Sequence, residues 1–475
     1  MTAVLRPSSI AETDTGFVVE GGRRWRRAES LVYCSATRSS DGKRDTLQAR
    51  LERAGNGGKK RQSTRYSVHG LHEYKGKFNP QVVRALVNIL CDNPIGARVI
   101  DPFCGSGTSL VECAHGGIES FGVDINPLAV YVAKAKLAAL QLEPATLQRL
   151  LEKMVRVRLI PQRRHNPLDG RAEYLEGWFD PEILQQIEYL QRVASGVDHG
   201  YREVFSCLVS NVLRDYSLQD PGDLRIRRRK TPLPTIPIRD AIYKAGMELV
   251  KKIAALQGVL GRKLHSGEAV NLDSRELVPG RNGVPKVKFD CAITSPPYAT
   301  ALPYIDTQRL SLVWLGLLVP EKLLSLEATL LGSREVRGAR RSELLNNLLE
   351  NAGGLPASQA NYCLRLQESI GSVDGFRRRA VPQLLYRYFV GMAESFRGVR
   401  RCMKVGAPYA LIVGRNHTTL GGARFDIDTP KHLAEIATTC GWRVNEVTPL
   451  QAYQRFGNNQ TNAIEAESLI LLSAS

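Results

Sequence analysis

The stretch Val99–Glu112, "VIDPFCGSGTSLVE", decides the fold. Val99 to Asp101 reads as a short strand, Gly105 and Gly107 as a tight turn, and Thr108 onward as the start of a helix. Glycines at such a turn let a cofactor reach the backbone and the helix-end N–H groups, although a G-x-G also serves packing alone. The continuation "CAHGGIESFGVDINPLAVYVAKAKLAAL" adds a second strand ending at Asp124 and a second helix. The whole is a βαβ unit followed by its next helix. Asp124 lies about twenty residues after the glycines, where a carboxylate accepts hydrogen bonds from the ribose hydroxyls of a nucleotide. The missing third glycine argues against a pyrophosphate dinucleotide, so another adenosine-containing cofactor is expected.

Outward from this unit the chain divides into five regions. Residues 1–63 carry "GGRRWRR" and "RAGNGGKKRQS" without sustained periodicity and predict a basic, partly disordered N-terminal arm. Residues 64–140 hold the cofactor-binding part, with a helix starting near Pro80 and apolar positions at Val82, Leu86, Ile89 and Leu90. Residues 141–265 read as a mainly helical insertion ending in "DLRIRRRKTPLPTIPIRD". The α/β pattern resumes over 266–475, interrupted by a basic, irregular insertion near 320–380.

Composition narrows the partner. Lys plus Arg number 65 against 47 Asp plus Glu, a net charge of +18 that favours a polyanion, nucleic acid before a membrane surface. No apolar run approaches the ~18 residues of a bilayer span, and the first twenty residues lack a signal-peptide core. A soluble, cytoplasmic protein without membrane contact is expected. Nine scattered cysteines form no C-x-x-C, and the eight histidines do not pair with them at zinc-finger spacing. Reduced thiols and no metal follow.

A second motif lies in "FDCAITSPPYATALPYID". The strand must stop at Pro296, because proline cannot donate to a ladder, and two fixed φ angles leave a rigid loop holding Ser295 and Tyr298 in one orientation. Taken with "DPFCGSGT", this "TSPPY" resembles the motifs of the amino-methylating DNA methyltransferases, most closely the cytosine-N4 type. "HEYKGKFNP" and "NLDSREL" are similar to that family's flanking cofactor segments. The resemblance covers most of residues 66–145 and 266–475, but neither the arm nor the insertions.

The resemblance implies a Rossmann-like class I methyltransferase fold, with a mixed, mainly parallel twisted sheet flanked by helices plus a mainly helical insertion. It implies S-adenosyl-L-methionine as cofactor, held by Phe78, Asp101, Phe103, Gly105, Gly107, Thr108, Asp124, Ile125, Asp273 and Thr294, with Asp273 approaching the adenine amino group. Catalysis would fall to Ser295, Pro296, Pro297 and Tyr298. The hydroxyl of Ser295 and the carbonyl of Pro296 would accept hydrogen bonds from the target amine, and Tyr298 would stack on a flipped-out base. Adenine N6 or an RNA base amine stays open as an alternative target, and so does a non-catalytic nucleic-acid-binding protein of the same fold.

The implied partners are double-stranded DNA and a cognate restriction nuclease or other defence-system protein. Arg225, Arg227, Arg228, Arg229 and Lys230 are expected to contact phosphates, as are Arg334 and Arg337, with Arg340, Arg341 and Arg377 to Arg379 as further candidates. Target recognition is assigned mainly to residues 141–265. Cys104 is expected to be a packing residue, Asp290 to open its strand, and the loop residues His69 and His72 to be surface-exposed.

Overall fold

The computed structural model describes residues 8–13, 16–20, 25–40, 42–56, 64–91, 96–156, 170–261, 264, 267–299, 304–334, 340–450 and 467–475. Its centre is a seven-stranded sheet of β1 (Arg98–Asp101), β2 (Glu119–Asp124), β3 (Gly267–Asn271), β4 (Cys291–Thr294), β5 (Pro408–Gly414), β6 (Trp442–Leu450) and β7 (Glu467–Ala474). The order is β3-β2-β1-β4-β5-β7-β6. Strands β3 to β5 run parallel, while β7 is antiparallel to both β5 and β6.

Alternation along the strands builds two cores. Val99, Cys291, Ile293, Ala410 and Ile412 face α1 (Pro80–Leu90). Their neighbours Ile100, Ala292, Tyr409, Leu411 and Val413 face the opposite layer, which holds α11 (Ala357–Glu368), α12 (Val381–Cys402) and α13 (Thr429–Thr438). This period of two is why a one-residue slip would turn each strand inside out. In α1 the buried apolar residues are Val83, Leu86 and Val87, whereas Ile89 is 40% exposed, so the inward face is rotated from the one the sequence suggests.

A third core joins α2 (Thr108–His115), α3 (Pro127–Ala139) and α9 (Tyr304–Trp314) to the helices between β2 and β3. These are α4 (Pro144–Arg156), α5 (Gly170–Glu176), α6 (Pro181–Ser195), α7 (His199–Val212) and α8 (Ile238–Leu260). The helical insertion is therefore continuous with the layer over the sheet. Helices α1, α3 and α6 start alike: Asn79, Asn126 or Asp180 accepts a backbone N–H two residues on, and proline fills the first helical position.

Where described, the N-terminal segment is not without regular elements: strands Ser9–Thr13 with Gly16–Glu20 and Ala36–Ser39 with Gly42–Asp45 form ribbons, and the helix Leu47–Asn56 packs on α8. Arg27 donates to the Asn88 carbonyl (2.7 Å) and Asn88 to the Ser30 carbonyl (2.7 Å), fastening this segment to α1. The region near 320–380 is not irregular either. It contains α10 (Leu323–Thr329), a helix over Arg340–Leu349, α11 and a short turn Phe376–Arg379, because Leu344, Leu348, Cys363 and Leu366 supply a buried face among the arginines. Among the described residues no helix is long and apolar enough to cross a membrane.

Candidate active site

The carboxyl ends of β1, β2, β4 and β5 open into one cavity of about 2330 Å³. It lies where the strand order reverses between β1 and β4, the crevice in which open α/β sheets bind ligands. Its lining brings together Phe78, Phe103, Gly105, Asp124, Ile125, Asp273, Ser295, Pro296, Pro297 and Tyr298, and with them Arg225 and Arg334. A recess beneath the turn adds Asp101 and Thr108. Gly107, Thr294, Arg227, Arg228, Arg229 and Lys230 do not line either space. Arg337 lies outside the described residues.

Asp124 is fixed by its own loop. Its Oδ2 accepts from the Gly105 N–H (3.0 Å) and its Oδ1 from the Asn126 N–H (2.8 Å), so the carboxylate is aimed while each oxygen keeps further acceptor capacity. Burial raises its pKa to about 6, against the lowering effect of those two donors. Gly105 has φ +50° and lies open to the cavity; a Cβ there would meet only the Tyr74 ring, at 3.5 Å.

Gly107 has a different task. A Cβ there would sit 2.8 Å from the Cβ of Ala133, so this glycine lets α3 pack against the turn. Cys104 packs against Gly122, whose own missing Cβ would otherwise lie 2.7 Å from it, and burial pushes the thiol well above its usual value. An inert packing thiol is what these contacts describe.

Asp101 ties the two motifs together. It is buried and accepts from the Phe103 N–H (3.0 Å), the Ser109 hydroxyl and the Thr294 hydroxyl (2.6 Å), with burial raising its pKa to about 6. Thr294 thus acts through Asp101 on the position of the loop. The loop itself is held from three further sides. Tyr298 donates its hydroxyl to Glu467 (2.8 Å), Asn416 donates to the Ala299 carbonyl (2.7 Å), and Gly332 approaches so closely that a Cβ would stand 2.4 Å from the Tyr298 carbonyl oxygen.

Sequence reasoning missed these supports because they come from β7, a strand after β5 and the turn that follows α10. Lys136 was also missed. Its buried ammonium donates to the carbonyl and hydroxyl of Ser106 (2.9 and 3.0 Å), and burial holds it well below its usual pKa. A lysine inside the apolar run of α3 was the available signal.

Asp273 lines the cavity, but its carboxylate already accepts from the Arg275 N–H (3.0 Å) and forms an ion pair with the Arg275 guanidinium. His69 and His72, expected at the surface, are buried. His69 donates to Glu112 (2.6 Å), and burial lowers its pKa to about 3. Glu112, His69 and His115 form a cluster of metal-ligand type, yet Arg84 reaches Glu112 at 2.6 Å and supplies the cation itself. Asp290 stays at the start of β4, where it accepts from the Arg98 N–H (2.9 Å) and pairs with Lys404.

Residues 71–149 match the family described as UPF0020, the RMKL-like methyltransferase domain. Over 365 residues the chain is 24% identical to the type II methyltransferase M.MvaI of Kocuria varians, covering 72% of this chain and 75% of that protein. Over 448 residues it is 22% identical to the type II methyltransferase M.BsoBI of Geobacillus stearothermophilus, covering 83% and 82%. A shorter match of 70 residues, 49% identical, joins it to the type II methyltransferase M.MjaII of Methanocaldococcus jannaschii, over 15% and 13%.

Proposed function

We propose that the chain, similar over most of its length to type II methyltransferases and over residues 71–149 to a methyltransferase domain family, uses S-adenosylmethionine to methylate the exocyclic N4 amine of a flipped-out cytosine in double-stranded DNA. The observation that carries this reading is that the Ser295–Tyr298 loop lines one cavity together with Asp124, Gly105 and several arginines. The type II methyltransferase relatives support duplex DNA as the substrate. A restriction nuclease sharing the recognition site would be its natural counterpart, since the methyl group shields that site.

The residues present fit such a cofactor. Asp124 offers oriented acceptors for ribose hydroxyls, Gly105 leaves the turn open, and Phe78, Phe103 and Ile125 supply apolar walls. Asp273 fits the adenine amino group only if its outer lone pairs are used beside Arg275. When bound, the cofactor supplies an electrophilic methyl group on a positively charged sulfur.

The rest is the chain's own work. An aromatic amine is a weak nucleophile, because its lone pair is delocalised into the ring. Ser295 and the Pro296 carbonyl accept its N–H hydrogens, favouring the pyramidal nitrogen that can attack, and the loop's fixed geometry means little reorganisation accompanies that change. Tyr298 holds the base by stacking, worth roughly 1–3 kcal/mol. The methyl transfer that the cofactor would supply would be a single displacement, in which the carbon–sulfur bond breaks to leave a neutral thioether as the nitrogen–carbon bond forms and the amine proton passes to solvent.

The test is nucleoside mass spectrometry of plasmid DNA from cells expressing the protein or its Ser295→Ala variant. N4-methylcytosine with the first and little with the second is expected. N6-methyladenine would move the target to adenine, and 5-methylcytosine would overturn the mechanism.

A further inference from the structure

Between α7 and α8 the chain folds into a hairpin that reaches the cavity mouth. Asp220 N donates to the Arg227 carbonyl (2.9 Å) and Arg229 N to the Leu218 carbonyl (2.8 Å), with Gln219 bridged to Arg228. Asp220 and Asp223 each accept a backbone N–H within the tip (2.8 and 2.9 Å). Arg214 clamps the Asp220 and Asp223 carbonyls from below. The base is locked as well: Gln219 donates to the Asp306 carbonyl (3.0 Å), Leu218 N to the Trp178 carbonyl (2.8 Å), and the Arg228 guanidinium lies 4.6 Å from the centre of the Trp178 ring.

In the loop of this braced hairpin, beside the closing Asp220–Arg227 pair, stands an apolar residue. Ile226 is 39% exposed, lines the same cavity as Ser295 and Tyr298, and is flanked by exposed Arg225, which lines that cavity too, and by Arg227, which pairs with Asp223 (2.9 Å). Arg334 and Arg377 line the cavity as well, and Arg334 is held below its usual pKa by burial and then by the nearby guanidiniums of Arg377 and Arg225. A stiff, branched apolar side chain set among cations suits a position where phosphates pass on both sides and an apolar gap has to be filled.

We propose that Ile226 is a positioning residue that enters the duplex and occupies the gap left in the base stack when the target nucleotide turns into the cavity. This rests on the base-amine methylation proposed above. A base leaving the stack loses its stacking and pairing, and a side chain that refills the space stabilises the extruded state. Rigidity matters here, since a tip that had to be ordered during insertion would return part of that gain.

The experiment compares wild type, Ile226→Ala and Ile226→Leu by single-turnover methylation with labelled cofactor. It uses two oligonucleotide duplexes carrying the site mapped from methylated plasmid. In one the target base is correctly paired; in the other it faces a mismatch, which weakens the pair beforehand. The expected result is at least a tenfold lower rate for Ile226→Ala on the paired duplex, most of it restored on the mismatched one, with Ile226→Leu near wild type and cofactor affinity unchanged in all three. Equal rates for wild type and Ile226→Ala on the paired duplex, or an equal reduction on both duplexes, overturns the wedge. Wild type inactive on both duplexes would instead overturn the methylation reading beneath it.

Discussion

Two carboxyl groups at the strand ends are held near pH 6 by burial, and only one of them faces the cavity as an acceptor. Ionised Asp124 can accept from both ribose hydroxyls, whereas the protonated acid gives up part of that capacity. Cofactor affinity should therefore rise with pH through about 6 and be about tenfold weaker at pH 5 than at pH 7.5, at the limit where only the ionised form binds. Titration calorimetry at the two values, repeated with Asp124→Asn, checks this; the variant should bind weakly and lose the pH dependence. The linkage to folding has the opposite sense. A carboxyl raised in the folded state binds protons more readily there than when unfolded, so Asp101 and Asp124 each contribute less stability as pH climbs from the usual carboxylate range to about 6. Asp124 was legible in the sequence because its role follows from one strand and one spacing. The buried cluster of Glu112, Arg84 and His69 was not, since its members come from three elements that only tertiary packing brings together.

At the scale of elements, glycines decide how closely backbones meet. The Gly332→Ala substitution would place a Cβ 2.4 Å from the Tyr298 carbonyl, at φ +75°, so the chain must push the loop aside. A displacement of about 1 Å at reacting groups costs on the order of a hundredfold in rate. Turnover of Gly332→Ala should fall by that order while cofactor affinity, measured by calorimetry, stays near wild type, because Asp124 and Gly105 are untouched. The double proline announced a stiffened loop in the sequence, and the loop is tied down by contacts on several sides. What the sequence hid is that the rigidity is shared with Glu467, Asn416 and Gly332, which no local pattern connects to it. The helices hidden among the arginines of residues 340–379 were obscured for a related reason: charge on the outer face masks a short buried stripe.

Across the whole molecule the excess positive charge is not evenly available. Arg227 pairs with Asp223 (2.9 Å), Arg228 is stacked on Trp178, and Arg229 is half-buried with part of its guanidinium enclosed, so the run Arg227–Arg229 chiefly braces its hairpin. Arg225, Arg334 and Arg377 line the cavity instead. Replacing these three with glutamine should flatten the slope of log duplex affinity against log salt by about 0.9 for each phosphate no longer neutralised. Binding isotherms at several salt concentrations measure the slope, and cofactor affinity should not move. The basic composition pointed to a polyanionic partner, but the arginines that line the cavity come from separate stretches of chain, Arg225 more than a hundred residues before Arg334 and Arg377, and their convergence is a property of the fold.

The buried carboxyl of Asp101 has a consequence for how two ligands sense each other. It is hydrogen-bonded at once to the cofactor turn and to the strand that carries the acceptor loop. Whatever tightens one end of that bridge steadies the other, so the two binding equilibria are expected to be joined. Reciprocity then fixes the arithmetic: the factor by which S-adenosylmethionine strengthens duplex binding must equal the factor by which duplex strengthens S-adenosylmethionine binding. Calorimetry of each ligand with and without the other should show such a common factor above one in the wild type, and Thr294→Val, which cuts the bridge at its hydroxyl, should bring it close to one. The enzyme would then be a scale with a single beam, on which neither pan moves alone.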